Sequence, residues 1–163
     1  MKQETHARVN VDQYETGNTC LGKHIRDNDI AMCSLKEILS LRELERLFPE
    51  ERTEQFFEAL FGGTEDGAYT IRLRFKEHID HELRFDFELI RRPGKCLVCS
   101  LTHGLPQVFS RHPVINLQGL YKEIVSLLDS HQVCCNGWRL GTTRTVNHDL
   151  HIIPFIITLT EAE

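Results

Sequence analysis

A chain of 163 residues with 40% hydrophobic and 26% charged residues has the make-up of one globular domain, able to bury roughly 70% of the surface its unfolded form exposes. Its net charge of −5 argues against a general nucleic-acid binder, because nothing overall drives the release of phosphate counterions. The longest apolar run, "IIPFII", is far too short to span a bilayer, and "MKQETHARVNVDQYE" lacks the apolar core of a secretory signal.

The expected setting is therefore cytoplasmic and reducing, with the six cysteines (Cys20, Cys33, Cys96, Cys99, Cys134 and Cys135) mostly free thiols. Residues 1–33 read as a partly ordered N-terminal extension. They are polar apart from the alternating "ARVNV", and "ETGN" marks a turn. A single domain is expected over 34–163.

A helical region follows. Ser34-x-x-Glu37 and Ser40-x-x-Glu43 are capping-box patterns that start a short helix, "LKEIL", and a second, "LRELERLF". Pro49 then opens a third helix, where its missing N–H costs nothing. Phe56, Phe57, Leu60 and Phe61 form its apolar face, and Gly62-Gly63 ends it. Such a hairpin of helices needs an apolar surface to cover.

That surface is a sheet. "AYTIRLRF" alternates with Tyr69, Ile71, Leu73 and Phe75 inward, and "ELRFDFEL" with Leu83, Phe85, Phe87 and Leu89 inward. "EHIDH" reads as the turn between them. Placing Phe75 opposite Leu83 sets Arg72 against Asp86 and Lys76 against Glu82, and it avoids facing Lys76 with Arg84.

Pro93-Gly94 supplies the next turn, and "CLVCSLTH" reads as a third strand continuing the dry face of the second. "GLPQVFSRHPV", with two prolines, reads as an irregular or edge segment. Asn116 caps a helix striped by Leu117, Leu120, Tyr121, Ile124 and Leu128. Asn136-Gly137 in "VCCNGWRL" signals a hairpin. The last strand, "DLHIIPFIITLT", is apolar on both faces, and Pro154 implies a bulge or an edge position. The fold class is α+β: an antiparallel sheet of about five strands, with an N-terminal helical hairpin and one later helix on one face.

The chemistry-bearing residues are scattered. Cys96 and Cys99 form a Cys-x-x-Cys, but residues three apart on a strand point to opposite faces, and a zinc knuckle needs a tight turn and a second ligand pair. The vicinal Cys134 and Cys135 chelate poorly for the same reason. His78, Asp80 and His81 sit at a hairpin tip and read as solvated. His148 and His151 are split between the faces of one strand. Arg72, Arg74, Arg91, Arg92 and Lys95 read as half of a mixed, solvated face shared with Glu82, Asp86 and Glu88.

No nucleophile elbow, phosphate loop or dinucleotide fingerprint is present. An enzyme would need a pocket joining Tyr69, His103 and Arg111. The expected function is a non-catalytic binding or interaction domain for a partner protein or a small ligand under the helical hairpin, without nucleic acid or membrane and with homo-oligomerisation left open. His103, Arg111 and Trp138 are the candidate contacts. The alternative is a zinc or iron protein drawing on Cys96, Cys99, Cys134, Cys135, His148 and His151 from distant segments.

Overall fold

The computed structural model describes residues 34–96 and 104–160; the expectations for 1–33 and for the strand core at 97–103 lie outside them. A short helix, α1 (34–38), leads into α2 (Leu41–Leu47) and α3 (Glu51–Phe61). Ser40 takes the N-cap of α2 but makes no side-chain capping bond, and Glu43 pairs instead with Arg46 at 3.0 Å. Pro49 lies just outside α3, whose N-cap is Glu50. Phe56 and Phe57 are buried, together with Thr53, whereas Leu60 and Phe61 are exposed. Phe61 only stacks on Phe57, at 6.0 Å.

Strands β1 (Tyr69–Ile79) and β2 (Glu82–Arg91) form a hairpin. The helices α4 (Leu105–Arg111) and α5 (Leu117–Asp129) follow, then β3 (Cys135–Leu140), β4 (Arg144–Asn147) and β5 (Leu150–Leu159). The five strands make one antiparallel sheet in the order β1-β2-β5, with β3 and β4 both on the far side of β5. The class is α+β as expected. The place beside β2 belongs to β5 and not to the segment after Cys96, because β5 supplies the longer apolar strand and pairs with β2 from Glu82 to Ile90. The fifth strand, β4, had no sequence expectation.

The dry face is as the alternation predicts. Leu83, Phe85, Phe87 and Leu89 are fully buried, as are Ile153, Phe155 and Ile157 of β5. Phe48 packs edge-on against Phe87 at 5.3 Å, Phe57 against Tyr69 at 4.9 Å, and Phe109 against Phe87 at 5.6 Å. Truncating an aromatic residue at such a site costs about 3–5 kcal/mol.

The register of the first hairpin is two residues from expectation: Phe75 faces Phe85 and Arg72 faces Glu88. The predicted clash of Lys76 with Arg84 is avoided because a β-bulge at Lys76 takes it out of the ladder. Its ammonium reaches Asp86 at 3.7 Å instead. Beyond the bulge the parity flips, so His78 faces Leu83 on the inner side, and the turn shrinks to Asp80-His81.

Three further expectations change for physical reasons. "GLPQVFSR" forms α4, since Pro106 falls in the first turn, where helices accept it, and Leu105 and Phe109 are one helical turn apart and buried. Asn136-Gly137 is no hairpin turn: Gly137, at φ 95°, forms a bulge inside β3. Pro154 sits in the interior of β5. Its carbonyl accepts from Gly141 N at 2.7 Å, so its missing N–H also points to that side, into the gap between β3 and β4. The ladder to β2 loses nothing, and a side chain on Gly141 would press on the Pro154 ring at 3.1 Å. Asn116 caps α5 as expected, accepting from Gly119 N at 3.1 Å.

The edge strands carry one device each. Arg92 N donates to Ala68 O, so the even-numbered residues of β1 before the bulge bond toward β2 and the odd ones point off the sheet. Ile71 points off the sheet, and the buried Thr53 hydroxyl takes both its groups, accepting from Ile71 N at 3.1 Å and donating to Ile71 O at 3.3 Å. At the other edge Tyr121 Oη accepts from Gly137 N at 2.9 Å. Replacing Thr53 with Val should therefore cost about 1–3 kcal/mol by leaving both groups of Ile71 unsatisfied, with Thr53→Ser losing less. Urea melts check this, and a Thr53→Val midpoint equal to that of the unmodified chain would contradict it.

Candidate functional site

The structure does not gather the residues singled out from sequence. Cys96 is disulfide-bonded, an exception to the expectation of mostly free thiols; Cys99 and His103 lie outside the described residues. Cys134 and Cys135 are thiols at the start of β3, with Cys135 buried opposite Leu159. His151 is eight residues back along β5, about 26 Å away at strand rise. His148 is not on a strand but in the exposed two-residue turn between β4 and β5, within 3.1 Å of Asp149. Among the described residues, no three His, Cys, Asp or Glu side chains converge as metal ligands.

The other candidates fare similarly. Trp138 is buried, packs on Phe155 at 5.7 Å and donates to Gln118 Oε1 at 3.1 Å. Tyr69 is buried against Phe57. Arg111 is exposed at the end of α4. At the first hairpin tip, His78 turns half-buried toward the core while Asp80 stays exposed.

The outer face of the sheet is a charge lattice. Arg74 meets Glu88 at 3.3 Å, and Glu82 accepts from Arg139 at 2.7 Å and from Arg84 at 3.2 Å. Hydrogen bonding from Arg139 and then the charge of Arg139 and the contacts of Arg84 hold the Glu82 carboxyl below its ordinary pKa against its partial burial. Asp86 goes the other way: burial outweighs the pull of Lys76 and raises its pKa. Arg92 pairs with Glu54, and Lys95 donates to the Glu65 carbonyl at 2.5 Å. The basic residues at this end of the sheet are thus mostly engaged.

A cavity of about 320 Å³ opens at the free edge of β1. Its floor is the stretch Ile71, Arg72 and Leu73, and its far wall is the elbow where α2 passes into α3, with Leu41, Phe48 and Pro49. Three carboxylates, Glu45, Glu50 and Glu51, stand on its rim. All three are exposed, and no salt bridge to a cation among the described residues engages them. Leu41 is an exposed large apolar side chain, 45% accessible. The Arg52 guanidinium lies over the Phe48 ring, 5.0 Å from its centre.

Sequence reasoning did not assemble this site. The motif "FPEE" was legible as helix punctuation, but nothing local shows that it hangs over residues 71–73. No protein-family model matches the chain, and no curated protein or solved structure matches it either. No helix among the described residues is long and apolar enough to cross a membrane.

One buried group carries a pH consequence. His151 faces the core opposite Leu89, only 3% exposed, and neither ring nitrogen has a hydrogen-bond partner among the described residues. Burial lowers its pKa below the ordinary 6.5, and it does the same at His112. The unfolded chain then takes up the proton first as pH falls, so stability is steady above about 6.5 and declines below it. Urea midpoints should drop between about pH 7.5 and about pH 5.5, and His151→Leu should shrink that drop. An equal drop in both proteins would contradict the assignment.

Proposed function

We propose that this chain is a non-catalytic binding domain whose working surface is the groove between the α2–α3 elbow and the edge of β1. The observation that carries this reading is the coincidence, in one concave place, of three carboxylates outside any ion pair among the described residues, the exposed Arg72 and an exposed leucine. Surfaces that combine unpaired polar groups with an apolar anchor are where partners dock, since both kinds of group gain from being covered. A partner protein fits better than a small ligand: small-molecule sites enclose most of their guest between largely apolar walls, and this groove is open and half-charged.

The test uses the full chain. Random dodecapeptides displayed on phage and selected on the immobilised protein should yield binders, and amide shifts of the labelled protein on adding them should cluster at residues 41–51 and 71–73. Binders that map elsewhere, or a selection that enriches none, would contradict the proposal.

A further inference from the structure

Of the chain's asparagines, Asn136 alone precedes a glycine. We infer that Asn136 is a self-modification site, able to close its side chain onto the Gly137 nitrogen as a succinimide, and that the buried Tyr121 hydroxyl is the latch holding this site shut.

The chemistry belongs to the dipeptide. Once a base takes the proton of the Gly137 N–H, that nitrogen attacks the side-chain carbonyl carbon of Asn136. A C–N bond forms, the bond to the side-chain nitrogen breaks, and that nitrogen leaves as ammonia after taking a proton from water. Water then opens the imide ring. Attack at the side-chain carbonyl leaves an aspartate. Attack at the main-chain carbonyl leaves an isoaspartate, whose backbone runs through the side chain and is one methylene longer. Glycine favours the closure because no side chain shields its nitrogen and its backbone turns freely.

Half of the site is open in the fold. Asn136 is exposed, and no described residue hydrogen-bonds its side chain. The other half is closed. Gly137 is buried at the bulge of β3, and its N–H donates to Tyr121 Oη at 2.9 Å. Tyr121 is itself only 3% exposed and belongs to the apolar stripe of α5. The proton that must leave is therefore out of reach of solvent base, in a hydrogen bond that has to break before the nitrogen can turn on its neighbour.

The product fits no better. An imide nitrogen has no proton to give Tyr121, and the longer isoaspartate backbone would upset the register that sets Trp138 opposite Ile157 just beyond the bulge. The fold thus opposes both the start and the end of the reaction. Modification has to wait for local opening of β3, which lies at an edge of the sheet.

The test follows Asn136 in the full chain by peptide-resolved mass spectrometry during weeks at mildly alkaline pH. Resolving the peptides keeps isoaspartate from Asp66-Gly67 apart. Asn136 should convert about tenfold or more slowly in the folded chain than in the same chain in denaturant. Tyr121→Phe, which removes the hydroxyl and keeps the ring, should speed conversion in buffer about fivefold or more. Thr53→Val, which loosens the opposite edge of the sheet, should change it by less than about twofold. In the unmodified chain the Gly137 amide should exchange with solvent as slowly as the core of β2, a readout that needs no substitution. Should circular dichroism find Tyr121→Phe unfolded, this exchange and the comparison with denaturant decide alone. Equal conversion in the folded and unfolded chains, free exchange at Gly137, or equal effects of the two substitutions would overturn the latch. No conversion even in denaturant would overturn the site itself.

Discussion

The fold depends on one constraint: the inner face of β2 must be dry along its whole length. Leu83, Phe85, Phe87 and Leu89 are fully buried, and a strand with that face has to be flanked on both sides and roofed. The chain flanks it with β1 and β5 and roofs it with helices that meet it ring to ring, Phe48 and Phe109 on Phe87. Burying each such side chain contributes about 1.5–3 kcal/mol, so the interior strands hold the sheet without help from the charge lattice outside. The lattice itself lies at the surface, where ion pairs add little to stability.

Centring the sheet on β2 and β5 leaves two edges to manage. On β1 a threonine hydroxyl from α3 occupies the Ile71 backbone, and on β3 a tyrosine hydroxyl from α5 meets Gly137 N. In both places a helix that packs over the dry face also extends one polar atom past the rim to stand in for a missing strand. The bulges at Lys76 and Gly137 lie in these same two strands. Between the two devices on β1, Leu73 turns its backbone groups off the sheet, yet it is only 2% exposed beside the α2–α3 elbow.

How far the sequence foretold this depends on whether the determinant was local. Alternation in 69–75 and 82–89 reads directly onto the dry face, and Asn116 caps its helix where its position before "LQGL" says it should. The register did not follow, because counting opposed charges along a regular ladder cannot anticipate that the chain will eject Lys76 and so remove the clash. Proline and Asn-Gly misled in the same way. In sequence Pro106 and Pro154 look like disruptors, yet one starts a helix and the other faces a gap between two strands, and Gly137 uses its positive φ for a bulge. The groove was illegible for a different reason: residues 41–51 and 71–73 meet only once the helical hairpin has docked.

The central claim is that the Thr53 hydroxyl seals the edge of β1 at Ile71. Native-state hydrogen exchange of the free protein, read amide by amide, tests this most directly. The Ile71 amide, bonded to Thr53, should exchange as slowly as the core of β2, and Thr53→Val should speed its exchange about tenfold or more. Equal protection of Ile71 in the two proteins would contradict the account.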